Sequence, residues 1–573
     1  MQAVQPAAQS STPVLMFPAL SMLRSERSLI GVHILVSLVA LSLGLLMGPF
    51  QTFRRAPAVT EALGGQAVAM PIFTYYYQAL TLHGVLNALV FTTFFIVGFS
   101  YFITQRSLQR PMWSLRAAWV AFVLMLVGLL LAAYAIITNQ ANVLYTFYAP
   151  MVAHWTFYLG LTLVIVGTWV AFLNIVMTYL GWRKDHPGQA VPLAVFATLC
   201  NYVMWFTATL GVATQVLTMM LPLSLGIIRT TDPQVTRILF WFFGHPLVYF
   251  WLIPAYISWY TMLPKQIGGR LFSDQMARVA FLMLMIFSVP VGVHHLFVDP
   301  GVSEFAKISH SLLTFVVAVP SFLTAFNLAA TLERAGHQRG ANALSWIWKQ
   351  PWGNPVVAAQ FCGMLLFVVG GITGVMNASF SLNLALHNTT WVVGHFHMTL
   401  AGAVTLTYIG VLYWLLPMMR GRKLFMPKLA LAQVFLWFSG MIVFGAGMGR
   451  AGIEGAIRRT DMGGAGAYIS DLWAPWLNLS AIGGALLLVS SILLYVVLVG
   501  TWFASKGQAE VEAPIDTTGP ASSRPEWFER WGVWTAVIVI SNVIMWGPVL
   551  IQAIDVVNGF FVPGNPGPAG PGF

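Results

Sequence analysis

Thirteen apolar stretches leave this chain few folds to choose from, because each can cross a hydrocarbon core of about 30 Å as a helix of roughly 20 residues. They lie near 29–50, 78–104, 112–137, 153–181, 192–223, 238–264, 276–298, 309–332, 355–378, 388–418, 428–449, 477–504 and 533–557. The expected fold is therefore an all-α polytopic membrane protein of about thirteen transmembrane helices. Residues 1–28 read as a cytoplasmic N-terminal segment, 29–557 as one membrane domain, and 558–573 as a Pro/Gly-rich external tail. The first span follows Arg24 and Arg27 without a cleavage-site pattern and reads as a retained helix.

Composition agrees: the 573 residues are 58% hydrophobic and 8% charged, too little charge to cover a soluble surface of this size. The net charge of +11 is spread over short loops with no clustered stripe, which excludes a nucleic-acid partner and leaves the lipid membrane. Cys200 and Cys362 sit alone in apolar runs and make no disulfide framework. Alternate loops carry most of the cations: Arg106 and Arg110, Arg183 and Lys184, Lys265 and Arg270, Arg334 and Arg339, then Arg420, Arg422 and Lys423. The positive-inside bias puts the N-terminus in the cytoplasm and, with an odd helix count, the C-terminus outside.

Twelve histidines are present, and at least six lie within apolar runs. Polar groups in a bilayer are costly and tend to mark function, and neutral imidazole is the commonest protein ligand for copper and haem iron. In the tenth span, the segment His387-Asn388-Thr389-Thr390-Trp391-Val392-Val393-Gly394-His395-Phe396-His397 sets His395 and His397 about 200° apart around a helix. They cannot share one metal, but they can serve two cofactors, with Phe396 between them. His83 in the second span, followed by Gly84, offers an opposing axial ligand and room for a flat macrocycle. A haem between His83 and one tenth-span histidine is six-coordinate and closed to gases; the other histidine then holds a five-coordinate, reactive haem.

The sixth span contains Trp241-Phe242-Phe243-Gly244-His245-Pro246-Leu247-Val248-Tyr249, with His245 and Tyr249 on one helical face. The seventh contains Pro290-Val291-Gly292-Val293-His294-His295, where Pro290 and Gly292 can loosen the helix so that both histidines reach one ion. Three imidazoles without a carboxylate favour copper or zinc. The phenol beside them suggests redox work.

Together these motifs resemble subunit I of haem–copper oxidases, in order and spacing, over nearly the whole chain. The resemblance implies a helix bundle enclosing two haems and a copper, and a terminal respiratory oxidase that reduces dioxygen to water with proton uptake and pumping. It implies that His83 and His397 ligate the low-spin haem iron and His395 the high-spin haem iron. It further implies that His245, His294 and His295 bind copper, that Tyr249 is cross-linked to His245 and catalytic with it, and that Arg458 and Arg459 hold haem propionates. Implied partners are a subunit II carrying a copper electron-entry site, with a cytochrome c or small copper protein as donor, in a prokaryotic plasma membrane.

Departures from the mitochondrial-like A branch resemble the B branch. Leu247 stands two residues after the first copper ligand in place of Glu, the 105–111 loop lacks an Asp/Asn motif, and Asn388 replaces Asp. B-branch members commonly carry a low-spin haem B, a high-spin haem A or O type, and one proton pathway. The matching residues here are Tyr249, Tyr256, Tyr260, Ser273, Ser321 and Thr324; the tyrosines recur at i, i+7 and i+11, one helical face. Asn327 and Asn383 depart from the hydroxyl and Asp of some relatives. Nitric oxide reductases share the scaffold but place glutamates near a non-haem iron, and no Glu lies near His245, His294 or His295 in the sequence. A metal or proton transporter could also place histidines at midplane, but would need no antiphase pair.

Overall fold

The computed structural model describes residues 23–463, 469–507, 513–515 and 526–561. Most of the expected N-terminal segment, 1–22, and of the external tail, 562–573, lies outside the described residues. The chain is helical throughout the membrane domain: α1 (Leu23–Arg55), α2 (Tyr76–Leu108), α3 (Leu115–Ile137), α4 (Trp155–Asp185), α5 (Leu193–Ser224), α6 (Pro233–Gln266), α7 (Asp274–Ser288), α8 (Glu304–Gln338), α9 (Pro355–Ala378), α10 (Thr390–Arg420), α11 (Pro427–Ile453), α12 (Ala474–Ala504) and α13 (Trp531–Phe561). Starts are set locally. Asp232 accepts from the Val235 N–H ahead of Pro233, Ser303 from Ala306, and Asn354 from Val356 ahead of Pro355. In each case a side-chain oxygen satisfies an amide that the first turn leaves unpaired.

Twelve of these helices are long and apolar enough to cross a membrane, and α7 is the shorter thirteenth. The continuous span expected over 276–298 is thus divided. Its helix ends at Ser288, and Val293–His295 form one 3-10 turn. Pro290 brings no N–H to continue the ladder. Gly292 lies so close to the Trp241 carbonyl that a Cβ there would stand 2.6 Å from it. Trp546 Nε1 donates to the freed Val289 carbonyl at 2.9 Å, which anchors the break.

Burial sorts the helices. The most apolar windows of α2 and α10 are 89% buried and those of α5 and α6 78%, against 28% for α8 and α13, so the histidine-bearing α2, α6 and α10 form the interior. Peripheral pairs close on small residues: a Cβ on Gly128 of α3 would strike the Gly160 backbone of α4, and the reverse holds. Such close approach is how membrane helices gain van der Waals contact without a hydrophobic drive. Four helices carry π-helical turns, two of them beside histidines: Val85–Phe91 follows His83-Gly84, and His397–Val404 begins at His397, while Val216–Met220 and Gly500–Ala504 lie elsewhere. π-turns widen a helix locally and cluster at functional sites.

The ends of the bundle are tied by side chains. Glu529, just before α13, accepts from the Val191 N–H at 2.9 Å and from Tyr179 and Arg183 at 3.2 Å each. The start of α13 therefore shares an end of the bundle with the α4–α5 loop. At the opposite end, Arg54 pairs with Asp461 at 2.6 and 2.9 Å, and Arg55 donates to the Thr460 carbonyl at 2.9 Å.

Candidate metal centre

Helix α6 presents His245, and the turn after α7 presents His294 and His295; one ligand atom from each lies within 4.8 Å of the other two. His245 Nδ1 is 3.4 Å from His295 Nε2. Two nitrogens bound tetrahedrally to one ion at about 2 Å stand about 3.3 Å apart, so the spacing fits a shared metal. Thr314 Oγ1 donates to the His310 carbonyl at 2.6 Å and so accepts from His294 Nδ1–H at 3.0 Å. That bond fixes the tautomer and leaves the His294 Nε2 lone pair free. His295 is held flat against Trp241, ring centres 3.7 Å apart and planes within 8°. The group is three imidazoles and no carboxylate, a donor set that suits copper. Among the described residues the buried His245 Nε2 has no hydrogen-bond partner, and the Tyr249 ring centre lies 5.0 Å from that of His245.

Both tenth-helix histidines are locked in the same sense. His395 Nδ1 donates to the Gly370 carbonyl at 2.9 Å, with Thr373 Oγ1 at 3.0 Å, and His397 Nδ1 donates to the Val393 carbonyl at 2.9 Å. His83 Nδ1 donates across to the Gly44 carbonyl of α1 at 2.8 Å. In all three the Nε2 lone pair is the free one, the form an axial haem ligand requires. The His83 and His397 rings are 6.1 Å apart with planes within 10°. Two metal–nitrogen bonds of about 2 Å plus a ring radius of about 1 Å on each side give about 6 Å, so the gap fits one iron between them. Gly48 flanks this gap, where a Cβ would stand 2.8 Å from His83 Cε1. His83, His397, Phe444, Arg458 and Arg459 line a single cavity, and Gly374 keeps similar clearance beside His395.

The arginine pair is placed by backbone pairing. Thr389 and Ile457 form an antiparallel bridge, Thr390 N–H donates to the Ala456 carbonyl, and Arg458 N–H donates to the Asn388 carbonyl. The Arg458 guanidinium also donates twice to Asn388 Oδ1, at 3.2 and 2.8 Å. Arg459 takes a left-handed φ of 63° and lies over the Tyr145 and Tyr148 rings at 5.9 and 5.6 Å. Burial, then the neighbouring Arg459, lowers the Arg458 pKa to about 10, so it stays a cation at neutral pH. Burial and the cations Arg458, Arg237 and Arg459 hold His387 down to about 4, so it is neutral there.

Of the pathway residues, Tyr256 and Tyr260 share a face of α6, ring centres 6.2 Å apart, and Tyr256 OH lies 3.4 Å from Ser321 Oγ of α8. The Tyr260 hydroxyl is buried without a bonded partner among the described residues and faces Thr324 and Asn327. Thr324 donates to the Pro320 carbonyl at 2.7 Å. Ser273 stands slightly apart: its hydroxyl caps α7 through Met276 N–H, while Asn327 clasps its backbone from both sides. Two other buried histidines stay outside the centre, His33 bonded to the Leu29 carbonyl and His310 to that of Met545.

Sequence reading missed Arg54, Arg55 and Arg237. Arg237 pairs with Asp299 at 3.0 Å and lies 5.0 Å from the Tyr148 ring. A signal existed: all three fall on the end of the bundle that the loop charges mark as cation-poor, where a retained arginine needs a reason.

With this geometry in view, likeness to known proteins is informative. A model of the family "Cytochrome C and Quinol oxidase polypeptide I" matches residues 28–486. Cytochrome c oxidase subunit 1 of Thermus thermophilus is 40% identical over 538 residues, covering 92% of this chain and 94% of that protein. A heme-copper oxidase subunit I+III from Aeropyrum pernix is 28% identical over 366 residues, 61% of this chain and 43% of its own length. Among solved structures, a heme-copper terminal oxidase dimer determined by cryo-electron microscopy superposes with a TM-score of 0.87 at 38% identity, covering 92% of this chain and 93% of that one. This chain therefore belongs to the subunit I family of haem–copper terminal oxidases, the membrane-embedded catalytic subunit of an oxygen reductase.

Proposed function

We propose that this subunit is a B-branch oxidase, with His83 and His397 as axial ligands of a low-spin haem B and His395 as ligand of a high-spin haem of A or O type. His245, His294 and His295 hold the copper. The observation that carries the reading is the imidazole triad within 4.8 Å, with the Tyr249 ring 5.0 Å from that of His245. Haem iron and copper, when bound, supply the redox chemistry that delivers four electrons to dioxygen. The protein positions them. Carbonyls of Gly44, Gly370 and Val393 hold each haem histidine in its ligand tautomer. Arg458 and Arg459 offer fixed positive charge to propionates, and Phe396 lies between the two haem ligands of α10. The Tyr249 phenol holds one proton and one electron beside the copper ligands, and the orphaned His245 Nε2 is the atom to which a cross-link would join it.

Protons reach this centre through one route, Ser273, Tyr260, Thr324, Ser321, Tyr256 and Tyr249. Support comes from the shared tyrosine face and from the Tyr260 hydroxyl, whose hydrogen bonding is left for water. Leu247 is buried, and no carboxylate stands there to begin a second route. The cation-rich loops face the cytoplasm, the C-terminus is external, and electrons enter from a copper-bearing subunit II supplied by cytochrome c or a small copper protein. The test is Tyr249→Phe. The ring and its packing remain, so the complex assembles with normal haem and copper, yet oxygen turnover is nearly lost. Near-normal oxygen consumption would reduce Tyr249 to a packing residue.

A further inference from the structure

Asn87 lies one turn after His83 on α2, and its amide nitrogen stands 3.2 Å from His83 Nδ1. The same Nδ1 is 2.8 Å from the Gly44 carbonyl, which can only accept, so Nδ1 carries the proton. A second donor cannot point at an N–H. Meanwhile Asn87 Oδ1 is buried with no hydrogen-bond partner among the described residues, a stranded polar atom. One rotation of the amide removes the donor–donor clash and gives Oδ1 a partner, because the two ends of a carboxamide are distinguished only by their hydrogen bonds. Oδ1 then takes the position 3.2 Å from Nδ1 and accepts, while the NH₂ turns away.

We propose that Asn87 is a positioning and tuning residue: with the Gly44 carbonyl, its Oδ1 forms a three-centre hydrogen bond from His83 Nδ1–H that makes His83 a stronger electron donor to the iron it would ligate. Gly44 serves the same arrangement from α1. A Cβ at that position would collide with the Asn87 amide, so glycine leaves both acceptors room on one N–H. The other haem histidines are held differently. Among the described residues His397 donates only to the carbonyl one turn behind it in its own helix, and His395 has a carbonyl and a threonine hydroxyl. An acceptor amide on His83 pulls its proton outward, raises the basicity of Nε2 and favours the ferric state. Asn87 thus helps set the driving force for electrons leaving the low-spin haem.

The inference rests on His83 being an axial ligand, and the two claims fail differently. If His83→Ala keeps the low-spin spectrum, the ligand assignment is wrong. If His83→Ala loses it, a redox titration of the purified complex, followed at the low-spin band, tests Asn87. Asn87→Leu removes the acceptor at similar volume and should raise the midpoint potential by about 59 mV, a tenfold shift in the reduction equilibrium of a one-electron couple. Asn87→Met, of different shape, should raise it equally. Asn87→Asp, a stronger acceptor, should lower it. Unchanged potentials in Leu and Met, or a clear split between them, would overturn the proposal, since packing alone distinguishes those two side chains. Should the Asp variant fail to assemble, the Leu and Met pair still decides.

Discussion

Four imidazoles of this centre have Nδ1 occupied, and for three of them the partner is far away in sequence. Gly44 serves His83 from 39 residues away, Gly370 serves His395 from 25, and Thr314 serves His294 from 20. The histidines themselves were legible, since six polar side chains in apolar runs demand an explanation. Their tautomers were not, because carbonyl and threonine partners carry no pattern until helices meet. Trp241 is similar: its place in the Trp-Phe-Phe-Gly-His-Pro run was visible, but not that its ring would lie flat on His295. The proton route belongs to this scale. Thr324→Val conserves volume and deletes the hydroxyl that Tyr260 and Tyr256 face. Oxygen consumption with excess artificial donor should fall by more than about tenfold, as loss of a positioned proton-transfer group does, while the metal spectra stay intact. A near wild-type rate would move the route elsewhere.

At the scale of elements, hydropathy located every span, and capping residues explain where several begin. It overextended one. The seventh span looked continuous because Val289, Val291 and Val293 are as apolar as any helix, and Pro290 with Gly292 suggested only a loosening. The structure breaks the helix outright, since three separate facts agree: the missing proline N–H, the Trp546 bond to the Val289 carbonyl, and the contact between Gly292 and the Trp241 backbone. The break is what turns adjacent histidines, normally about 100° apart on a helix, toward one point. Gly292→Ala would put a methyl 2.6 Å from the Trp241 carbonyl. The expected outcome is a complex that keeps both haems and loses copper, read by metal analysis against the haem spectrum. Full copper occupancy would show that the turn tolerates the shift. The π-turns at Val85–Phe91 and His397–Val404 had no sequence signal, being set by what packs around them.

For the molecule as a whole, two charge patterns coexist. Loop lysines and arginines mark one end of the bundle. A smaller set on the other end, Arg54, Arg55, Arg237, Arg458 and Arg459, is tied to Asp461, Asp299, backbone carbonyls, Asn388 and tyrosine rings. Positive-inside counting treats that second set as noise, yet Arg55, Arg458 and Arg459 line the cavity between His83 and His397. The interior helices α2, α6 and α10 bring the proposed ligands together, and on the proposed assignment the bundle is a container for two macrocycles and one ion. That is the central claim, and composition of the purified complex tests it most directly. Pyridine-haemochrome analysis, copper assay and a carbon monoxide difference spectrum should give two haems per chain, one copper beyond any carried by a partner subunit, and carbon monoxide bound to only one haem. A single haem, carbon monoxide on both, or no copper attributable to this chain would contradict it.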